Sequence, residues 1–291
     1  MKEKGIPIIT VTEDTDSLDA LLIKIFEEYH HDFREYKRTS IMRRIMKRLR
    51  ENHLETYEEY MDLLDSNPEE YNKLIDTVLI NVTEFFRDPE AWEALENVVI
   101  QKILSRKSKK EQIRIWSASC ASGEEAYSIA ILLVDKLGDA LGDYDIKIYG
   151  TDIDENALKE ARNGIFSLDR MKNVSQERVK KYFTREGKEY RIKSYIRHMI
   201  SFGRHDLITN APLPRIDLII CRNVLIYFTA DLQSRLMKKF YYALNDNGHI
   251  FFGKSESMLQ GSKLFQPVDK KWRIFSRIPE AIQATSPLFD E

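Results

Sequence analysis

The sequence predicts an α/β protein with a mostly parallel, Rossmann-like sheet, preceded by an all-α domain and interrupted by a small inserted antiparallel β subdomain. Apolar residues recur at helical spacing from 16 to about 83, a stretch with one proline, Pro68, and no glycine. From Ile113 short apolar runs alternate with longer amphipathic ones, the pattern of parallel strands joined by crossover helices. Between Val174 and Arg197 that alternation gives way to a helix and then to short charged β-like pieces around Gly187.

In the first part, Asp16 or Ser17 can cap a helix running through Leu21, Leu22, Ile25 and Phe26. Ile41, Ile45 and Leu49 repeat at i, i+4, i+8 in a second helix. Thr56 with Glu59 reads as a capping box, and Asn67-Pro68 as the start of a fourth helix, because Pro is tolerated where the N–H has no helical partner. In the second part, strands are expected at 113–118, 146–151, 199–202, 216–221, 249–253 and 272–276, with helices at 124–137, 155–162 and 231–244. Domains are expected at 16–90, helical, and 91–277, α/β with the insert at 174–197. The tail 278–291, with two prolines and no periodicity, is expected to be disordered.

A chain of 291 residues has room for about two domains and can bury on the order of 75% of its unfolded surface, so it needs no metal or disulfide staples. The 45 Lys+Arg against 47 Asp+Glu leave a net charge of −2, which removes any global-charge argument for nucleic acid or an anionic membrane. Cys120 and Cys221 are too few for a disulfide scaffold or a four-thiolate zinc site, and no metal site is assigned. They fit a reducing compartment. No signal-length apolar stretch follows Met1-Lys2-Glu3-Lys4, and no apolar run is long enough to span a bilayer, so a cytoplasmic, non-inserted protein is expected.

Ligands in such sheets bind beyond the carboxyl ends of the strands. The loop Ser117-Ala118-Ser119-Cys120-Ala121-Ser122-Gly123-Glu124-Glu125 stands there, but it has one glycine and no P-loop lysine. Glu124 would repel phosphate and attract a cation, which fits S-adenosylmethionine, with its ammonium and sulfonium; the alternative is a first-turn Glu favoured by the helix dipole. Asp152, in Gly150-Thr151-Asp152-Ile153-Asp154, stands where a ribose diol needs an acceptor, with Asp154 free to cap the next helix. Asp206 is placed to read an adenine amino group or is a turn Asp. The strand ending in Cys221-Arg222-Asn223 lacks the Pro-Pro-aromatic and Pro-Cys corners of nucleobase methyltransferases, which argues against a base as substrate. Asn81-Val82-Thr83-Glu84-Phe85-Phe86-Arg87-Asp88-Pro89 is dense in hydrogen-bonding side chains near the joint of the two parts; its plainer reading is a loop capped by Thr83 with Arg87 paired to Asp88.

The strings NVTEFFRDP, SASCASGEEAYSIA, GTDID, CRNVLIYF and GKSES resemble, in order and spacing, the CheR family of chemotaxis receptor glutamate methyltransferases. The resemblance covers about 17–277. It implies a class I S-adenosylmethionine methyltransferase fold and methyl transfer to receptor glutamate carboxylates, with S-adenosylhomocysteine as product. It puts cofactor contacts on Asn81, Thr83, Arg87, Glu124, Asp152, Asp206, Leu207, Arg222 and Asn223, and catalytic positions on Arg87 and Tyr227. Lys254 departs from the family, which usually has His there. Alternatives are a non-catalytic cofactor- or receptor-binding module, or a methyltransferase of another protein.

The second helix carries Arg43, Arg44, Lys47 and Arg48 with no acidic residue between 37 and 50. With Ile41, Ile45 and Leu49 turned inward, these cations are expected to form an exposed face, either solvated and paired with the acidic run after it or docking on the acidic cytoplasmic helical domain of a chemoreceptor. The protein is expected to be monomeric and not to bind nucleic acid.

Overall fold

The computed structural model describes residues 15–256 and 263–279, and these form two compact units. The disorder expected for the tail falls, apart from 278–279, outside the described residues, as do the first four residues and Ser257 of the GKSES string. No helix among the described residues is long and apolar enough to cross a membrane.

The first unit holds residues up to Ile80 together with Tyr227–Thr229. It contains α1 (Thr15–Tyr29), α2 (Arg38–Glu51), α3 (Tyr57–Ser66) and α4 (Pro68–Val78). The capping box at Thr56 and Glu59 forms in both directions, and the Asn67 side chain accepts from the Glu69 N–H at 3.1 Å with Pro68 beside it. Both signals are local, so they survive whatever packs around them.

In α2 the structure corrects the sequence reading. Ile41, Ile45 and Leu49 are buried as expected, but so are Arg44 and Arg48. The reason is helical geometry: positions 44 and 48 lie three residues beyond 41 and 45, which puts them on the same face as the core stripe. The solvent face is Arg43, Lys47 and Arg50. Arg44 donates to the Val78 carbonyl and stacks its guanidinium 4.6 Å from the Tyr227 ring. Arg48 grips Glu70 side-on, with Nε to Oε1 at 2.8 Å and Nη2 to Oε2 at 2.7 Å. Glu70, 1% exposed, also accepts from Tyr60 and Asn52, each at 2.9 Å. The short segment of chain at 227–229 is held in this unit by Lys37 N–H to Tyr227 O at 2.8 Å and by the edge-on packing of Tyr36 and Phe228.

The second unit begins at Asn81. Its opening helix, α5 (Pro89–Leu95), runs through a π-helical turn at Glu96–Ile100 into α6 (Gln101–Arg106). Then follow β1 (Gln112–Ala118), α7 (Glu124–Leu137), β2 (Asp145–Asp152), α8 (Glu155–Asn163) and β3 (Ile165–Ser167). After these come α9 (Gln176–Tyr182), β4 (Phe183–Glu186), β5 (Glu189–Ile192), α10 (Ser194–Arg197), β6 (Ile200–Arg204) and β7 (Ile216–Cys221). The unit ends with α11 (Ala230–Ala243), β8 (Leu244–Phe252), β9 (Phe265–Asp269) and β10 (Ile274–Arg277).

The large sheet has the order β6-β2-β1-β7-β8-β10-β9, parallel from β6 to β8 and antiparallel at β10 and β9. The chain winds one way from β1 and then crosses to β7, so the order reverses between β1 and β7. Every residue of β7 is buried, as a central strand covered on both faces requires. β9 goes unpredicted because Pro267 interrupts its pattern, which an edge strand tolerates since it needs no outward N–H bond. The small antiparallel sheet, β3-β5-β4, takes its third strand from Ile165–Ser167, ahead of the 174–197 segment that the sequence assigns to the insert. Three residues carry too little periodicity to be read.

Replacing Glu70 by Ala should leave the buried Arg48 with only its partly exposed second partner, Glu51, and destabilise the first unit by up to about 3–5 kcal/mol, measurable by urea unfolding. Burial works to raise the Glu70 pKa, but the hydrogen bonds from Arg48 and Tyr60 and the Arg48 charge outweigh it, and the net shift is downward. A lowered carboxyl stabilises fully above the ordinary Glu range, about 4.3, and less as pH falls through its folded value. Wild-type unfolding should therefore steepen in acid, and the Ala variant should lose that part of the pH dependence.

Candidate active site

The loop from β1 to α7 is strained in a way that only its surroundings explain. Ser119, Ala121 and Gly123 all have positive φ, at 63°, 46° and 93°, and for the two non-glycine residues that costs on the order of 1–3 kcal/mol each. Cys120 N–H donates to Thr151 O at 2.9 Å, and Ala121 N–H to the Asp152 carboxylate at 2.8 Å, so β2 holds the loop in shape. At Gly123 a Cβ would stand 2.8 Å from that of Ala161, so a side chain is excluded by space as well as by backbone. Asp152 sits at the sheet end that the sequence predicts, with its other oxygen accepting from Asp154 N–H at 3.0 Å. Burial raises its pKa. Asp154 caps α8 through bonds from Asn156 N–H at 2.7 Å and Ala157 N–H at 3.1 Å, and accepts from the Asn81 side chain.

Glu124 is corrected. It is 0% exposed, and its carboxylate is taken by Arg170 and Ser122, at 2.9 and 2.8 Å. In this arrangement Glu124 ties Arg170 and Ser122 together and presents no surface to solvent. Its neighbour Glu125 is half-buried, accepts from Ser117 Oγ at 2.8 Å, and feels the charges of Arg222, Glu256 and Arg87. Burial pushes its pKa up to about 7, against the pull of the two arginines. The sequence offers two adjacent glutamates in the first turn of α7. Their directions differ by one helical step, about 100°, and only the packing says which points inward.

The 81–89 loop is fixed from beneath by Arg222. The Arg222 side chain is 2% exposed and donates from Nη1 to Arg87 O at 2.9 Å and from Nη2 to Asp88 at 2.6 Å, with its plane 4.6 Å from the Phe251 ring. Asp88 is thus paired with Arg222, and the plainer sequence alternative of an Arg87–Asp88 pair does not form. Trp92 Nε1 also donates to Arg87 O, and Phe86 N–H to Ser128 Oγ. Phe85 packs edge-on to Phe166 and Phe183 of the small sheet, at 4.8 and 5.3 Å. The insert is therefore built into the loop's support. Arg87, tethered by its backbone, gives one side-chain donor to Val82 O at 3.2 Å and keeps the rest of its fork.

At the end of β7, Asn223 has φ 62° and begins a turn whose N–H groups converge on Glu256. The buried Glu256 carboxylate accepts from the N–H groups of Asn223, Val224 and Leu225, each at 3.0 Å, and from Gly253 at 2.5 Å. Glu256 lies in the GKSES string, where the sequence alone gives it no role. The signal available was a Glu three residues beyond Gly253, where a Cβ would come within 2.7 Å of Glu256 Oε2. Lys254 is exposed and lies 5.9 Å from the Trp272 ring, so the position where the family usually has His takes no part in the clamp.

Asp206 forms a turn, accepting from Ile208 N–H at 2.8 Å and Thr209 Oγ1 at 2.9 Å, the plainer of its two sequence readings. Lys239 of α11 gathers the carbonyls of Leu207, Ile208 and Asn210. Leu207 is buried, and Thr83 and Asn81 are partly exposed in their loop. Tyr227 belongs to the first compact unit, under Arg44. Cys120 and Cys221 end neighbouring strands, both buried, and burial raises both thiols well above the ordinary range, which makes them packing groups.

At the carboxyl end of the second unit's sheet, then, stand a half-buried carboxylate at Glu125, a buried one at Asp152, a turn of backbone at 119–123 and a guanidinium at Arg87. This donor set suits an ammonium and a diol, and it offers no glycine-rich cradle for a pyrophosphate.

Comparison with known proteins agrees. The family model described as "CheR methyltransferase, SAM binding domain" matches residues 81–274, and "CheR methyltransferase, all-alpha domain" matches residues 16–79. A chemotaxis protein methyltransferase of Listeria monocytogenes is 36% identical, covering 78% of this chain and 85% of the relative. One of Escherichia coli is 32% identical over 77% of this chain and 78% of the relative. The chain also matches a longer 104.1 kDa protein of Rhodobacter capsulatus at 33% identity, spanning 26% of that protein's length. The chain belongs to the CheR family of methyltransferases, and its cofactor is S-adenosylmethionine.

Proposed function

We propose that this chain methylates glutamate side chains of chemoreceptors in the cytoplasm, forming glutamyl methyl esters and S-adenosylhomocysteine. The observation that carries the reading is the pairing of charges at the site: a carboxylate, Glu125, that burial keeps partly neutral until a cation meets it, and a backbone-tethered cation, Arg87. The names of the relatives, chemotaxis protein methyltransferases, support it. The absence of a nucleobase corner at Cys221-Arg222-Asn223 points away from nucleic acid.

Glu125 would hold the cofactor's ammonium and Asp152 its ribose hydroxyls, with Asn81, Thr83, Leu207 and Asn223 lining the rest. Asp206 would meet the adenine through the free lone pairs of its turn carboxylate, and Arg222 would act through the loop it pins. The bound cofactor supplies an electrophilic methyl on a positively charged sulfur, which leaves as a neutral thioether. An ordinary Glu has a pKa of about 4.3, so the accepting carboxylate is ionised at neutral pH and no general base is needed. The chain's work is therefore positioning, for which proximity and alignment supply most of the rate. Arg87 orients the carboxylate by charge-assisted hydrogen bonds through donors not given to Val82. The exposed row Arg43, Lys47 and Arg50 draws in an acidic helical substrate. Arg44 and Arg48, buried in their own unit, cannot.

The test of the reaction is transfer of labelled methyl to receptor fragments followed by alkali treatment, which releases a carboxyl ester and leaves methylated nitrogen intact. Arg87→Ala should lower turnover at least tenfold, about 1.4 kcal/mol of transition-state stabilisation, with far less effect on cofactor affinity. Unchanged turnover at unchanged affinity would remove Arg87 from the reaction.

Glu125→Gln should weaken cofactor binding by about tenfold or more, the loss of a charge-assisted hydrogen bond worth ~1.5–3 kcal/mol, as read by calorimetry. Because the free carboxyl titrates at about 7 and an α-amino group at about 7.7–8.0, wild-type affinity should peak between the two. It should fall below that window as Glu125 takes up its proton, and the Gln variant should lose this acid limb.

Charge reversal at Arg43 and Lys47 should slow methylation several-fold at low salt and little at high salt, with unchanged unfolding midpoints. Equal loss at every ionic strength would argue against steering.

A further inference from the structure

The edge of the second unit's sheet far from the methyl-transfer site carries a second concentration of charge. A cleft of about 180 Å³ opens between α6, the start of β8 and the edge hairpin β9–β10. Its wall includes Lys102 and Arg106 of α6, Asp246 and His249 of β8, and Ser276 and Arg277 at the end of β10. Among the described residues three cations thus face one carboxylate, and that one is largely solvated, with Asp246 3.2 Å from Arg277 Nη1.

Two buried nitrogens in this wall are left without partners among the described residues. His249 is 2% exposed, and its Nδ1 makes no hydrogen bond; Arg277 Nε is likewise buried and unmatched, although its Nη1 reaches the Leu244 carbonyl. Buried polar atoms in folded proteins are nearly always satisfied, by protein, water or ligand, and here two of them stand in the wall of a cleft rimmed by cations. Arg106 gives a long bond, 3.4 Å, to Asn247 O, and Lys102 is exposed at the rim. Burial, and to a lesser degree the neighbouring Lys102 and Arg106, lower the imidazole to about 4.

We propose that this cleft is an anion site that takes a phosphate group. A phosphate has oxygens enough to meet a guanidinium, an ammonium, a hydroxyl and an imidazole N–H from different directions, whereas a carboxylate has two. The cleft is smaller than the several hundred Å³ that enclose a whole ligand. It fits the phosphate alone, with any attached group left in solvent. The bound group would join α6 to the edge hairpin and satisfy the orphaned nitrogens in one step. None of these residues belongs to the methyl-transfer machinery, so the site is tested separately from it.

The experiment is calorimetric titration of the full chain at constant ionic strength, with inorganic phosphate in one arm, glycerol 3-phosphate in a second and acetate in a third. Saturable binding of one phosphate per chain is expected, with acetate much weaker. Lys102→Ala with Arg106→Ala should weaken phosphate at least tenfold and leave S-adenosylmethionine affinity unchanged. Tighter binding of glycerol 3-phosphate would identify a phosphomonoester as the ligand, and tighter binding of inorganic phosphate the free ion. In the same samples the His249 ring signal in NMR should titrate at higher pH when phosphate is present, since an anion among Lys102, Arg106, Arg277 and Asp246 favours the imidazolium. Absence of saturable binding, equal binding of acetate, or equal affinity in the double variant would overturn the proposal.

Discussion

A guanidinium taken out of water has five donors to place, and Arg222 places its charge against the backbone and side chain of two consecutive residues. Arg87 O and Asp88 receive its two terminal nitrogens, while Phe251 covers its face. Breaking one half of such a buried pair leaves an uncompensated charge, a loss of several kcal/mol. The 81–89 loop is therefore held where Arg222 ends, at the carboxyl edge of β7. Asp88, at φ 59°, tolerates the left-handed backbone there and starts α5. The neighbouring Arg87 side chain is left with its direction set and most of its donors free. In the proposed reaction, which needs no general base, this constraint on Arg87 is the protein's main means of control.

Glu256 does for the other side of the site what Arg222 does for the first. Three successive N–H groups in a turn make a small anion nest, and a fourth from Gly253 completes it. The carboxylate supplied is the protein's own, so the nest is structural, and Gly253 is glycine because the clamp leaves no space for a Cβ. This gives the GKSES string a physical meaning in which Gly253 and Glu256 are fixed and Lys254, pointing outward, is free to vary.

The same logic separates two glutamates that look interchangeable. Glu124 faces Arg170 and is consumed in tying α7 to the small sheet's flank, whereas Glu125 keeps an open side and a raised pKa. In α2, likewise, an apparently uniform basic helix divides into two guanidiniums that hold the helical unit together and a solvent row that does not.

The sequence by itself determined what local geometry and periodicity determine. The capping box at Thr56, the start at Pro68, helix α7 over its full length, strand β7 to the residue and the acidic ends of the first loops were all legible, because each depends on neighbours within a few positions. The family was legible because several motifs recur together in order. What only the tertiary structure decided is where polar side chains point once elements pack. Arg44 and Arg48 turned inward because Glu70, 22 residues beyond Arg48, and Val78, 34 beyond Arg44, met them there. Glu124 was spent on Arg170, 46 residues away, and Asp88 on Arg222, 134 residues away. A charge in the sequence is a donor or an acceptor without a partner, and whether it serves the fold or faces a ligand depends on which distant residue the folded chain brings to it.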